Sequence, residues 1–285
     1  TCVLLGRVLV HGADVRSAPA NDRATGTSNR ASVEDPGVLS GEKRVRAVSA
    51  TQRLLSSVRT GSAPSEHRIE VAAENILEML AACGGGVLPL AAVKSHDEYT
   101  YIHATNVAIL SGALAETLGL APDLVRDITL GALLHDVGKE RLPLSILNKP
   151  GKLDQTEILV VQQHPVEGAR ILAGTEGVSE LAIIIAYEHH MHLDGTGYPR
   201  PVAGRTTHLA SRIVQFADVY DALGTHRPYR AAMSADKIRQ VMSEKSGTAY
   251  ERDLFGVFFE MVMNRITARD RNSSTTAPAS SSLAA

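Results

Sequence analysis

The sequence lacks the features of several protein classes. It has only two cysteines, Cys2 and Cys83, and no tryptophan. Two cysteines without metal-type spacing exclude a disulfide scaffold and favour a reducing compartment. No apolar run reaches about 18 residues, so a membrane-spanning helix is not predicted. The formal net charge is -2, without the basic excess that marks nucleic-acid-binding proteins. We therefore expect a cytoplasmic protein with no nucleic-acid partner.

The two ends of the chain differ from its middle in composition. Residues 1–15 predict one or two short apolar strands and lack the basic start and cleavage pattern of a signal peptide. Residues 17–41 are rich in small and polar residues, which predicts a mobile linker because they bury too little surface to offset their ordering entropy. We interpret residues 1–64 as a candidate remnant of a regulatory module, and residues 267–285 as a disordered tail. Since the first residue is not Met, we expect a longer parent protein.

Between residues 65 and 266 the apolar residues repeat with the period of a helix. The first helical face is formed by Ile69, Ala72, Ala73, Ile76 and Leu80. Further helices are predicted at 97–118, 122–136, 154–164, 179–190 and 209–223, with two more around 238–242 and 254–261. Helix starts are indicated by Pro122 in a first turn, by the capping-box pair Asp154 and Glu157, and by Ser179. The sequence therefore predicts an all-α domain.

Histidines and aspartates stand at the ends or on the core faces of these predicted helices. Adjacent His135 and Asp136 lie where a helix ends before Gly138, so both side chains can turn toward one cavity. The other members of the set are His103, His164, His189, His190 and Asp218. Neutral imidazole and carboxylate suit iron, manganese, zinc or nickel, and a carboxylate can bridge two ions. Two close cations can activate water and neutralise a phosphodiester.

Each of these residues has a simpler explanation when it is taken alone. A single histidine on a core face, such as His103, is more often a satisfied core residue, and a His-Asp pair can merely cap a helix. The whole set at successive helix ends is different, because burial of so many ionisable groups without a compensating charge is very costly. The remaining histidines are predicted to be surface or supporting groups: His11, His67, His96, His192, His208 and His226.

Several stretches of the sequence together resemble the HD-GYP family, a branch of the HD-domain phosphohydrolases. They are HATNVA from His103, LLHDVGK from Leu133, ILNKPGKLDQTE from Ile146 and HHMHLDGTGYP from His189, followed by FADVYDAL and HRPYR. The resemblance extends over residues 90–265. It implies an HD-type helical bundle that binds two or three metal ions, commonly iron or manganese. It also implies hydrolysis of cyclic di-GMP to pGpG or GMP.

Position by position, the resemblance implies roles for residues of this chain. The implied metal ligands are His103, His135, Asp136, His164, His189, His190 and Asp218. The resemblance makes Asp136 the bridging carboxylate, and Lys139 a second catalytic residue that faces a substrate phosphate. The implied substrate-binding residues are Lys139, Arg227, Arg230 and Tyr198. Some family members carry a carboxylate for a third metal where this chain has Tyr99, so we expect two ions.

The sequence departs from the family pattern beside the predicted ligands. The common His-His-Glu reads His189-His190-Met191 here, which removes a charged group near the metals. Three interpretations therefore stay open: a cyclic di-GMP phosphodiesterase, an HD-domain hydrolase of another nucleotide, and a cyclic di-GMP sensor without turnover. The role of the Gly-Tyr-Pro loop also has three interpretations: a tight turn, an edge of the substrate pocket, or a contact for partner signalling domains. The sequence also leaves open whether the chain forms a homodimer.

Overall fold

The computed structural model describes residues 36–82, 96–149, 151–200, 205–225 and 231–275. Within these ranges the regular structure is helical and the extended pairs are isolated bridges, such as Met191 with Gly197. The predicted all-α class is therefore confirmed. The strands predicted over residues 1–15 lie outside the described ranges. None of the helices in the described part is both long enough and apolar enough to span a membrane.

The helices follow one another along the chain. They are α1 (Pro36–Arg59), α2 (Glu66–Ala82), α3 (His96–Thr117), α4 (Pro122–Leu134), α5 (Leu144–Leu147), α6 (Gln155–Val161), α7 (His164–Ala173), α8 (Glu180–Glu188), α9 (Leu209–Gly224), α10 (Ala235–Ser243) and α11 (Arg252–Thr275). A short 3₁₀ helix, Val137–Arg141, follows α4. The central helix is α3, which packs against α1, α2, α4, α9 and α11. All residues from 101 to 115 are buried, as expected of a helix that is surrounded by others.

Local sequence signals account for where several helices begin. At the start of α6, the Asp154 carboxylate accepts from the Glu157 N–H (2.9 Å), and the Glu157 carboxylate accepts from the Asp154 N–H (2.8 Å). This reciprocal pair is the predicted capping box. Helix α8 begins after Ser179, whose hydroxyl accepts from the Ala182 N–H. These predicted starts are confirmed.

The predicted helix over 154–164 was wrong at its end. Helix α6 stops at Val161, and His164 is instead the first residue of α7. The next residue, Pro165, has no N–H, which a first helical turn does not need. A proline at this position starts a helix as readily as it stops one. His164 is therefore positioned by the first turn of α7 and not by the end of α6.

The first and last helices extend beyond their predicted limits. The linker was expected to reach Gly41, but α1 begins at Pro36, and proline is common in a first turn. Its buried face is formed by Ala47, Ala50, Leu54 and Val58, whose spacing is helical although two of them are small. At the other end, α11 continues to Thr275, so residues 267–275 are helical where a disordered tail was expected. The division of the chain at residue 65 stays a prediction.

Candidate metal centre

Helices α3 and α9 bring His103 against two aspartates. The Nδ1 atom of His103 lies 2.6 Å from Asp221 Oδ2, and its Nε2 atom lies 3.1 Å from Asp218 Oδ1. A carboxylate accepts hydrogen bonds, so the Asp221 contact fixes the proton on Nδ1 of a neutral His103. The lone pair of Nε2 then faces the second carboxylate. Such a pair of acceptors needs a proton or a cation between them.

The end of α4 supplies His135 and Asp136. His135 is fully buried, and its Nδ1 atom donates to the Ala132 carbonyl at 2.6 Å. That bond leaves Nε2 as an acceptor. Among the described residues, Nε2 of His135 and Oδ1 of Asp136 are both buried without a hydrogen-bond partner. Buried polar atoms are normally satisfied, so two such adjacent acceptors fit a site that binds a cation.

A second group of histidines lies on the other side of Asp136. Nδ1 of His164 donates to the Val161 carbonyl (2.7 Å), and Nδ1 of His189 donates to the Ala186 carbonyl (3.0 Å). Their Nε2 atoms lie 3.2 Å apart. Because each ring has its proton on Nδ1, two lone pairs face each other at this distance. The arrangement is repulsive unless a cation binds both rings.

Asp136 connects the two groups. Its Oδ1 atom lies 3.2 Å from His164 Nε2 and 3.7 Å from His189 Nε2, while its Oδ2 atom lies 3.3 Å from His135 Nε2. The two sets of converging ligand atoms are Asp136 with His164, His189 and His190, and Asp136 with His103 and His135; within each set the atoms lie within 4.8 Å of one another. Asp218 adjoins the second set through His103. All seven sequence-predicted ligands are thus brought together, and the donor set fits divalent metal ions.

Electrostatics favour the protonation states that metal ligands need. Burial alone would raise the pKa of Asp136, but Lys139 and the neighbouring histidines outweigh it and hold this pKa well below its usual range. Burial lowers the pKa of His189 to about 4, and burial likewise lowers the pKa of His190. Near neutral pH an ionised Asp136 is therefore combined with neutral His189 and His190, the forms in which carboxylates and imidazoles coordinate metals.

A cleft of about 310 Å³ opens beside the cluster. Its lining includes His103, Asp136 and the three cationic side chains Arg59, Lys139 and Lys149. This volume lies at the low end of the roughly 300–1,000 Å³ typical of ligand pockets. Each of these cations lies beside a carboxylate, Arg59 at Glu140, Lys139 at Asp136 and Lys149 at Glu157. Three such partly exposed cations around one cleft suit an anionic ligand.

The predicted substrate-binding residues have different positions. Lys139 lines the cleft, and its ammonium group lies 2.5 Å from Asp136 Oδ2. The ring of Tyr198 packs on His190, with 4.6 Å between ring centroids, so Tyr198 supports a predicted ligand. Arg227 and Arg230 lie outside the described residues. The same holds for the side chain of Tyr99, and the metal count that depended on it stays a prediction.

The Gly-Tyr-Pro loop is a tight turn built on His190. Gly195 and Gly197 have φ angles of +78° and +86°, which glycine adopts without strain. A Cβ atom at Gly197 would lie 2.2 Å from the His190 carbonyl oxygen, and that oxygen also accepts from the Tyr198 N–H at 3.1 Å. The glycine is therefore required by the close approach of two backbone segments beside a predicted ligand.

Sequence reasoning missed Asp221, which holds His103 in place. Its carboxylate accepts from His103, from Asn106 (2.9 Å) and from the Thr225 hydroxyl (3.3 Å). A carboxylate behind a histidine orients the ring and raises its basicity. The available signal was spacing, since Asp218 and Asp221 are three apart on one helix and therefore share a face.

Asp221→Asn is expected to lower metal affinity roughly 10–100-fold while the fold is retained, because the His103 ring loses the charged acceptor that orients it. Metal titration followed by mass-spectrometric metal analysis would measure this. Asp236→Asn, at an exposed position on α10, is the matched control and should bind metal normally. Equal affinity in the two variants would show that Asp221 has no supporting role.

The sequence model of the HD domain family matches residues 88–254. The chain belongs to the HD domain family. This HD domain contains all seven predicted ligands, from His103 to Asp218, and the resemblance found in the sequence is confirmed.

Two curated relatives align with about three quarters of this chain. A cyclic di-GMP phosphodiesterase of Pseudomonas aeruginosa is 36% identical over 217 residues, which cover 76% of this chain and 52% of the relative. The 3'3'-cGAMP-specific phosphodiesterase 3 of Vibrio cholerae serotype O1 is 35% identical over 223 residues, which cover 78% and 45%. The chain thus spans about half the length of these relatives.

A solved structure shares the fold. It is described as an HDG"Y"P protein from Bdellovibrio bacteriovorus, with a TM-score of 0.63 and 19% sequence identity, and the match covers 82% of this chain and 75% of that one. The HD-type arrangement of helices predicted from the sequence is therefore confirmed.

Proposed function

We propose that the chain is a metal-dependent phosphodiesterase that hydrolyses cyclic di-GMP to pGpG or GMP, with two divalent ions, iron or manganese. The observation that carries the proposal is the position of Asp136, whose two carboxylate oxygens face different groups of histidine nitrogens. A bridging carboxylate is the expected centre of a dinuclear site. The names of the Pseudomonas and Vibrio relatives support a cyclic dinucleotide as the substrate.

The proposed activity assigns metal-binding and substrate-binding roles to residues of this chain. His103, His135, Asp136, His164, His189, His190 and Asp218 would hold the ions. Ions bound there would supply an activated water and neutralise charge that develops on the phosphate. Lys139, with 30% of its side chain exposed at the cleft, would bind a phosphate oxygen of the substrate. Arg227, Arg230 and Tyr198 complete the proposed substrate contacts.

Protein loaded with Mn²⁺, or with Fe²⁺ in the absence of oxygen, is expected to convert cyclic di-GMP to a linear product, because the cluster and the cationic cleft adjoin each other. Chromatographic separation of the nucleotides measures the reaction. Protein treated with a chelator is the control and should form no product. Parallel assays with 3'3'-cGAMP test the base preference, and hydrolysis of other nucleotides alone would contradict the cyclic di-GMP assignment.

A sensor without turnover is the second candidate, and position 191 favours it. Met191 is 5% exposed, and its carbonyl accepts from the Gln215 side chain, so an uncharged side chain is buried directly after two predicted ligands. Tight binding of cyclic di-GMP by metal-loaded protein that forms no linear product would support the sensor and contradict the phosphodiesterase. The predicted contact of the Gly-Tyr-Pro loop with partner signalling domains, and the homodimer, would belong to either function.

A further inference from the structure

Arg59 reaches the cleft from outside the matched HD domain. It is the last residue of α1, 29 positions before the family match begins at residue 88. It nevertheless lines the same cleft as Asp136 and Lys139. Helix α1 packs against the 3₁₀ helix that follows Asp136, and this contact places the end of α1 beside the catalytic residues proposed above.

A buried carboxylate holds the Arg59 side chain in position. Nε of Arg59 donates to Glu140 Oε2 at 2.6 Å, and the Glu140 side chain is 3% exposed whereas the Arg59 side chain is 29% exposed. Glu140 directly follows Lys139 in the sequence. A buried ion pair adds little stability because of its desolvation cost, but it fixes the direction of a planar guanidinium group. The pair therefore sets where the cation of Arg59 lies relative to Lys139.

The chemistry of this position matches a phosphate group. An arginine guanidinium carries its donors in a rigid fork that binds two phosphate oxygens at once, whereas a lysine offers a point charge. Arg59, Lys139 and Lys149 all line the cleft, and a cyclic dinucleotide carries two phosphates. Lys139 beside the metal cluster and Arg59 at the end of α1 can each bind one of these phosphates.

We propose that Arg59 is a substrate-binding residue for a phosphate group, supplied by the helix that precedes the HD domain, and that Glu140 is its positioning residue. This inference rests on the proposed function, because the phosphate belongs to the cyclic dinucleotide. It adds a residue that the family match does not include, and it makes α1 a part of the binding site.

The test is steady-state kinetics of cyclic di-GMP hydrolysis by the full chain. Arg59→Met is expected to raise KM by about 10-fold to 100-fold, the effect of losing a charge-assisted hydrogen bond, with kcat changed by less than about 3-fold. Arg59→Lys should give a smaller increase, since it keeps the charge and loses the fork. Glu140→Gln should raise KM less than Arg59→Met does. Arg53→Met, at an exposed position on the same helix, is the matched control.

The Arg59→Met change leaves the buried Glu140 carboxylate without its Arg59 partner, which can destabilise the protein, so a second variant separates folding from binding. Arg59→Met with Glu140→Gln removes the buried charge along with its partner, and melting temperatures verify the fold. An unchanged KM in both Arg59→Met proteins, with an active wild type, would overturn the inference and leave the proposed function standing. If the wild type forms no product, the proposed function fails, and calorimetric Kd values for cyclic di-GMP replace KM. Equal Kd values for wild type and variants, or no binding, would then overturn the inference.

Discussion

Asp136→Asn is expected to lower kcat for cyclic di-GMP by about 1,000-fold or more. The change keeps the shape of the side chain and removes its charge. Asparagine offers one acceptor oxygen, whereas the carboxylate directs one oxygen to His135 and the other to His164. Loss of a shared ligand removes several kcal/mol of electrostatic stabilisation, which corresponds to at least three powers of ten in rate. Kinetic assays with metal analysis of the same samples would measure the effect.

The matched control for Asp136→Asn is Asp253→Asn, at an exposed position at the start of α11. It removes the same charge far from the cluster in sequence and should leave kcat and metal content unchanged. A variant at position 136 that kept wild-type turnover and a full metal complement would rule out a bridging carboxylate at this position. Full turnover with half of the metal would place the reaction on a single ion.

Gly138→Ala is expected to destabilise the protein by about 3 kcal/mol and to lower its metal content. A Cβ atom at this position would lie 2.0 Å from the His164 carbonyl oxygen and 2.5 Å from the Gly168 backbone nitrogen. Both are backbone atoms, so no side-chain rotation relieves the clash, and forced overpacking costs roughly 1–3 kcal/mol or more. The start of α7 must move, and His164 moves with it. Denaturant unfolding and metal titration together measure both effects.

Gly256→Ala provides the comparison for Gly138→Ala. Gly256 lies within α11, and a Cβ atom there meets no heavy atom within 4 Å. This change should stabilise the protein by about 0.5–1 kcal/mol, since alanine loses less conformational freedom in a helix. If the two variants had equal stability, the close approach of the 3₁₀ helix and α7 would not be a constraint.

The sequence predicted the features that depend on near neighbours along the chain. The capping box of Asp154 with Glu157 and the cap at Ser179 act within one helical turn, and both formed as expected. The predicted ligands also came together, because histidines and aspartates on the core faces of successive helices all point into the same interior. These predictions needed the period of a helix and the high cost of burying charge.

The rest depended on contacts between distant parts of the chain. Asp221 acts on a histidine 118 positions away, and Arg59 pairs with a carboxylate 81 positions away. Periodicity shows which face of a helix is buried, but it does not show which helix covers that face. For the same reason α1 was predicted to lie in the N-terminal segment 1–64, outside the all-α domain, since Ala47 and Ala50 carry too little apolar surface to indicate a core position without their partners.

The packing of α1 also separates two kinds of boundary. The hydrophobic core is continuous from Ala47 to Val262, whereas the region shared with the HD domain family covers residues 88–254. A fragment cut to the shared region would lose Leu54, Val58 and Ile76 on one side and Phe258 on the other, all fully buried. The region shared with the family is thus shorter than the region that folds as one unit. Recombination that transferred only the shared region to another protein would produce an unstable domain.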